Sequence, residues 1–279
     1  MKNILVPLDF SKESINALNV ANQITKKGKA KISLSHTIEI PNYFDSPPES
    51  LETYKTELLI TVKSKIDQIL KDKHLSIPTT SIHVSFGHPF THIQELLKKE
   101  AIDLIVMGSK GERNWKEQTI GSNTDKVVRN VKCPVLIVKE VVDIDAIKDI
   151  VFATDLTNTP INVTNGLNEL QQLLNAKLHI LKVITPGTWT TEPDVKKELA
   201  QFVALHSLTN YSLRIFNDTD VEGGIVHYSK DIDAGLVAMA AHTKVSLPSL
   251  IQDDRTTERV VENCKHLIWT CGLGDRIYR

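Results

Sequence analysis

The sequence predicts an α/β protein made of two tandem units, each an open five-stranded, mainly parallel sheet with helices on both faces. Three observations predict it. Short apolar runs alternate with segments whose apolar residues recur at helical spacing, and strands alternating with helices make parallel sheets. Several runs, such as ILVPLD from Ile4 and IDLIVMG from Ile102, are apolar almost throughout, as strands covered on both faces must be. The pattern is also written twice. NILVPLDFS (Asn3–Ser11) matches DIVFATDLT (Asp149–Thr157), and AKISLSHTIEI (Ala30–Ile40) matches AKLHILKVITP (Ala176–Pro186), both at an offset of 146 positions. TDKVVRNVK (Thr124–Lys132) matches TERVVENCK (Thr257–Lys265) at 133, so the second copy is about a dozen residues shorter in its middle. A repeat this long means two homologous domains, not a solenoid. We place them at 1–140 and 146–279, joined by the charged segment KEVVDIDAIKD (Lys139–Asp149).

Each element of the first copy has its own signal. ILVPLD is a strand, after which Ser11 caps a helix carrying Ile15, Leu18, Ala21 and Ile24, stopped by Gly28. KISLSHTIE alternates as a second strand, and Leu51, Tyr54, Leu58, Val62, Ile66 and Ile69 mark a long amphipathic helix. TSIHVSFG is the third strand, Ile93, Leu96 and Leu97 a short helix, and IDLIVMG the fourth strand. A glycine-bearing loop, a helix through Val127, Val128 and Val131, and the strand CPVLIV complete the unit. The Pro-rich stretch EIPNYFDSPPES (Glu39–Ser50), with Tyr43 and Phe44, reads as a surface loop at the crevice mouth or a partner contact.

Composition excludes several classes. The chain of 279 residues is 41% apolar and 24% charged with a net charge of −1, which fits globular cores and offers no global basic face for nucleic acid or anionic membrane. No stretch approaches the length of a membrane span, and MKNILVPLDF is too short an apolar run for a signal peptide, so a cytoplasmic location is expected. Three cysteines without a CxxC pair argue for reduced thiols, with Cys133 and Cys264 buried and Cys271 in an exposed tail. P-loop, GxSxG and HExxH patterns are absent. His83, His88 and His92 lie close in sequence, but a loop running into a helix is a better reading than a metal site.

The chemistry is carried by MGSKGERNWKEQTIGSN, from Met107 to Asn123. Gly108 closes an apolar strand at its carboxyl end, where ligands of open α/β sheets sit. Gly111 and Gly121 allow close backbone approach, and the N–H groups that open the helix after Gly121 form an anion site. Ser122 offers a hydroxyl and a cap, with Asp125 three residues on. Spacing alone leaves open that each glycine is a turn or packing residue.

The motifs VPLDFS, GSKG followed after nine residues by GS, and CPVLIVK resemble the universal stress protein family in its tandem two-domain form, over nearly the whole chain but weakly in the middle of the second copy. The resemblance implies a Rossmann-like fold of the adenine nucleotide alpha hydrolase type with strand order 3-2-1-4-5. In the ATP-binding branch the motif is G-x2-G-x9-G-[ST], complete here. The implied site is Pro7 and Asp9 beside the ribose and base, Thr37 on the adenine edge through its backbone, Met107 and Gly108 against the ribose, and Gly111, Gly121, Ser122 and Asn123 around the phosphates. Lys110 and Arg113 are charged neighbours, and Trp115 is a candidate cover or interface residue. The implied ligand is ATP, alone or with Mg²⁺, and the implied role is that of a stress-response regulator or adaptor with a protein partner the sequence does not name. Two alternatives stay open, a slow Mg²⁺-dependent ATPase and a nucleotide-independent scaffold, and no catalytic residue is assigned. The edge strands CPVLIV and HLIWT are templates for self-association, between chains or between the two copies of one chain.

The second copy departs from this pattern. Asp155 is kept at the place of Asp9, but Ala240 and Thr243 replace the first two glycines and Asp254-Arg255 replaces Gly121-Ser122. An acid beside a triphosphate is repulsive, so the second copy is expected not to bind ATP in the same way.

Overall fold

The computed structural model describes residues 1–40, 48–72, 80–111, 120–156, 159–188, 190–241 and 256–272. The first half holds β1 (Asn3–Pro7), α1 (Lys12–Gly28), β2 (Lys31–Ile38), α2 (Pro48–Asp72), β3 (Thr80–Phe86), α3 (Pro89–Lys99), β4 (Leu104–Gly108), α4 (Ser122–Asn130) and β5 (Val135–Val138). A 3-10 turn at Ile144–Ala146 leads into the second half. That half holds β6 (Asp149–Ala153), α5 (Ile161–Leu174), β7 (Lys177–Ile184), α6 (Glu192–His206), β8 (Tyr211–Asn217), α7 (Val221–Asp231), β9 (Leu236–Ala241), α8 (Thr256–Asn263) and β10 (Leu267–Gly272).

All ten strands form one sheet in the order β3-β2-β1-β4-β5-β10-β9-β6-β7-β8. Each half contributes five parallel strands, and the halves join through β5 and β10, which run antiparallel with Ile268 opposite Ile137 and Thr270 opposite Val135. The two edges expected to mediate association thus meet each other inside the chain. Helices α1, α2, α5 and α6 bury residues such as Leu18, Ile66, Leu167 and Leu199 on one face of the sheet. Helices α3, α4, α7 and α8 bury Ile93, Val127, Ile225 and Val260 on the other.

The repeat extends to backbone detail. Phe10 and Leu156, 146 positions apart, both take φ 68°, and Lys29 and Asn175, at the same offset, take φ 54° and 50°. Lys29 corrects the expected stop of α1. The left-handed residue is Lys29, whose N–H donates to Thr25 O at 2.8 Å, while Gly28 stays helical. Gly28 is small for another reason, since a Cβ there would lie 3.0 Å from Leu173 Cδ1 of α5. Ser11 caps α1 as expected, accepting from Ser14 N–H at 3.1 Å.

At the centre of the seam Leu136 pairs with Trp269. Trp269 is fully buried and fills the space beside Gly166 of α5, where a Cβ would lie 3.3 Å from its ring. The seam also corrects the placing of Cys271. It lies in β10, is 1% exposed, and points its thiol at Lys132 O of the first half at 3.4 Å.

Candidate functional site

The crevice lies where the chain order reverses. β1 pairs with β2 on one side and β4 on the other, so the connections leaving β1 and β3 run to opposite sides, and ligands of such sheets sit beyond the strand ends at that point. Pro7 helps to open it. The β1–β4 ladder pairs only Ile4 with Leu104 and Leu5 with Ile105, and proline has no N–H to extend it. Beyond β1 the chain kinks at Phe10. Asp9 Oδ1 accepts from Ser11 N–H at 3.1 Å and Ser11 Oγ at 2.5 Å, which fixes the entry to α1.

The glycine loop comes back onto this kink. Gly111 sits against the other carboxylate oxygen, since a Cβ there would lie 2.6 Å from Asp9 Oδ2. A Cβ on Gly108 would lie 2.8 Å from both the carbonyl carbon and Cβ of Glu13, and one on Gly121 would lie 3.2 Å from Lys110 Cα. Gly121 N–H donates to Ser109 O at 2.8 Å and Thr124 Oγ1 donates to Gly108 O at 2.8 Å, pinning the start of α4 to the end of β4. The structure therefore brings Pro7, Asp9, Gly108, Gly111 and Gly121 together. It also shows that the three glycines have packing reasons of their own.

Two expectations need adjustment. Ser122 is not the cap of α4. Gly121 is the N-cap, without a side-chain bond, and Ser122 is the exposed first helical residue. The missing side-chain cap leaves the first turn, with Ser122 and Asn123, without a local acceptor of that kind. Asp125 instead holds Arg129 at 2.7 Å. Met107 is 5% exposed and packs into the core beneath the crevice, so only its backbone reaches the floor. Arg113, Trp115, Tyr43, Phe44, Thr243, Asp254 and Arg255 lie outside the described residues.

Thr37 stands near the end of β2. Leu8 N–H donates to Ser35 O at 2.8 Å, so by strand alternation the backbone groups of Thr37 point the same way, past the end of β1. The side chain contact of Thr37 was not legible from the sequence. Its Oγ1 lies 3.2 Å from Nδ1 of His92, a buried residue of α3. Burial, then the charge of His83, lowers the His92 pKa. His36 approaches Leu8 O through Nδ1 at 2.7 Å and packs on the Phe10 ring at 4.6 Å, and Lys65 Nζ of α2 lies 4.0 Å over that ring. Among the described residues no group of three or more His, Cys, Asp or Glu side chains gathers as a metal site.

Residues 1–139 match the sequence model of the Universal stress protein family. That half of the chain belongs to the universal stress protein family. It is 29% identical over 143 residues to Universal stress protein MJ0531 of Methanocaldococcus jannaschii, an alignment covering 50% of this chain and 82% of that protein. Universal stress protein MJ0577 of the same organism is 29% identical over 154 residues, covering 50% and 94%. The whole chain is similar in fold to the crystal structure of a universal stress protein from Archaeoglobus fulgidus, with TM-score 0.74, 19% identity and 98% of both chains covered. A putative universal stress protein from Pseudomonas aeruginosa gives TM-score 0.70 at 16% identity, over 98% of this chain and 93% of that one. The two-fold repeat of the universal stress fold thus runs through both halves, and among the described residues no helix is long and apolar enough to cross a membrane.

The second half has the same crevice with different contents. Lys182, at the place of His36, donates to Asp155 O at 2.6 Å, and Ala240 stands where Gly108 does.

Proposed function

We propose that the first domain, residues 1–140, binds an adenine nucleotide, ATP, in the crevice between β1 and β4. In this reading the protein is a nucleotide-linked regulator or adaptor of the stress response. The observation that carries the reading is the convergence of the glycine motif on an α4 N-terminus that no side chain caps. Backbone N–H groups there, together with the helix dipole, suit phosphate oxygens. Lys110 and Lys139 add positive charge nearby. Burial, and to a lesser degree the charge of Lys110, lowers the Lys139 pKa, against the opposing pull of Cys264, Glu140 and Glu262. Asp9, its Oδ1 already engaged at the start of α1, orients ribose rather than acting as a base. The main-chain groups of Thr37 meet the base edge. Mg²⁺, if it binds, comes with the phosphates. We assign the second domain, residues 146–279, no nucleotide, because Lys182 stands in its crevice, bonded to Asp155 O, and Ala240 takes the place of the first motif glycine.

The test is to denature protein purified without added nucleotide and identify what is released by mass spectrometry. Gly121→Asp, which imports the acid of the second copy, is run in parallel. Expected are ATP at about one per chain and a rise in melting temperature with added ATP, both lost in the variant. No nucleotide and no rise would make the loop a packing device and favour the scaffold reading. Phosphate release dependent on Mg²⁺ and lost in Gly121→Asp would favour the slow ATPase.

A further inference from the structure

The sheet ends in the second half on β8, which has β7 on one side and no strand on the other among the described residues. Its bonding can be followed from its two ends. Leu178 N–H donates to Asn210 O at 3.0 Å, and Asp218 N–H donates to Ile184 O at 3.0 Å. In a parallel ladder alternate residues turn both backbone groups to the same neighbour. Ser212, Arg214 and Phe216 therefore bond β7, while Leu213, Ile215 and Asn217 turn their N–H and C=O groups to the open side. The side chains of these same three residues border a groove of about 540 Å³, lined also by Ile184 of β7, by Thr190, by Glu192, Lys196 and Leu199 of α6, and by part of Arg214. By alternation the Arg214 side chain leaves the strand on the opposite face, where it bonds Tyr228; the residue is exposed, and its Nη1 donates to Leu213 O at the edge at 3.0 Å. One outward carbonyl of this edge is thus covered by a charge, a common guard against indiscriminate strand pairing.

We propose that β8 is a docking edge for an extended peptide segment that reads apolar–acidic–apolar. Such a segment adds a strand through the outward backbone groups, which gives affinity, while its alternate side chains give specificity. The two apolar side chains stand opposite Leu213 and Ile215 and enter the groove over Leu199. The acidic side chain between them stands opposite Arg214 on the other face. Its carboxylate draws the guanidinium off Leu213 O and so frees that carbonyl for the new ladder. A basic segment leaves the guard in place and sets like charges opposite each other. A second copy of this chain is disfavoured for the same reason, because pairing β8 with β8 over its full length puts Arg214 against Arg214.

The experiment uses the full chain and two dye-labelled peptides, acetyl-Thr-Val-Glu-Val-Thr-amide and its Glu-to-Lys counterpart, read by fluorescence anisotropy and by amide hydrogen exchange. The expected result is a preference of about fivefold or more for the Glu peptide, the scale of a cross-strand charge pair made rather than opposed. Exchange protection should fall on Leu213, Ile215 and Asn217. Arg214→Glu should reverse the preference. Ile215→Pro, which removes an outward N–H and one apolar wall of the groove but none of the N–H groups that bond β7, should abolish binding of both, and if that variant does not fold, the Arg214→Glu reversal carries the test. Absence of binding at millimolar peptide, an unchanged preference in Arg214→Glu, or protection elsewhere would overturn the proposal. Concentration-dependent dimers that vanish on substitution of Ile215 would give the edge to a second copy and overturn it equally.

Discussion

Replacing Gly108 by alanine separates packing from ligand binding. A Cβ there would sit 2.8 Å from Glu13 C, 2.8 Å from Glu13 Cβ and 2.9 Å from Ser14 N. Two of these are backbone atoms in the first turn of α1, whose position is fixed by the Ser11 cap and the Asp9 turn, so they cannot swing aside as a side chain can. Overpacking of this kind costs about 1–3 kcal/mol. At roughly 2–4 °C per kcal/mol for a chain of this size, a cost of about 2 kcal/mol lowers the melting temperature by about 4–8 °C. Gly111 makes the contrast. Its added Cβ would meet only the Asp9 carboxylate, Oδ2 at 2.6 Å and Cγ at 3.8 Å, a side-chain end that can yield by a small tilt about its Oδ1 bonds to Ser11 where a backbone atom cannot. The assay is calorimetric melting of nucleotide-stripped wild type, Gly108→Ala and Gly111→Ala, followed by ATP titration. Gly108→Ala should melt lower before any nucleotide is present. Gly111→Ala should lower the melting temperature by less than Gly108→Ala does, because only a side-chain end has to give, yet lose most of its ATP affinity. A nucleotide-free Gly108→Ala protein that melts with wild type would refute the close approach of β4 to α1 and return that glycine to the ligand.

Three further outcomes are expected. Trp269→Leu should cost about 2–3 kcal/mol in urea unfolding, and the same change in a Gly166→Val background should cost at least about 1 kcal/mol less, because the two positions share one space; additive costs would deny the contact. Stability should fall as pH drops below about 6.5, because burial lowers the pKa of His206 and His92 while the unfolded chain keeps the ordinary value of 6.5 and takes up protons first. Their contribution is present above that pH and lost below it, and His206→Gln should flatten the slope of melting temperature between pH 7 and pH 5. Burial raises the Cys133 thiol to about 12 and the Cys271 thiol to about 11, so a thiol reagent at pH 8 should label the native protein slowly and the denatured protein at all three cysteines.

Much of the architecture was legible because its signals are local. Apolar runs, helical spacing and an offset that holds without gaps between Asn3–Ile40 and Asp149–Pro186 identify strands, helices and the repeat. Site residues were legible to the extent that a motif spaces them along one strand–loop–helix segment. What was hidden depends on contacts between distant segments. His92 meets Thr37 across 55 positions, and no spacing rule connects them. Thr124 looked like any polar residue of a helix start, although its hydroxyl ties α4 to Gly108. Cys271 was misplaced because the short run HLIWT gives no sign that its end is covered by the first half. Lys29 took the left-handed turn expected of Gly28, because the glycine's smallness was claimed by Leu173.

The seam gives the two copies different structural duties. In a symmetric homodimer one sequence must serve both sides of the axis. Here the equivalent positions differ in compensating ways. Leu136 faces Trp269, its own counterpart at an offset of 133, and the larger ring is accommodated because Gly166 stands at the place of Val20, at an offset of 146. After β5, Lys139 donates to Glu262 O at 3.0 Å and Cys264 O at 2.6 Å at the end of α8. At the end of β10 the equivalent residue is Gly272, where a Cβ would lie 2.3 Å from Val131 O just after α4. A lysine on that side would collide with Val131 O, the counterpart of the Cys264 carbonyl that Lys139 captures. Neither half can supply both roles, so the fused chain has an interface that two identical copies cannot reproduce. The structural duty of the second half, carried by β10 and α8, is therefore independent of any ligand. Its crevice can thus differ from that of the first half, as Lys182 and Ala240 make it differ, without disturbing the seam.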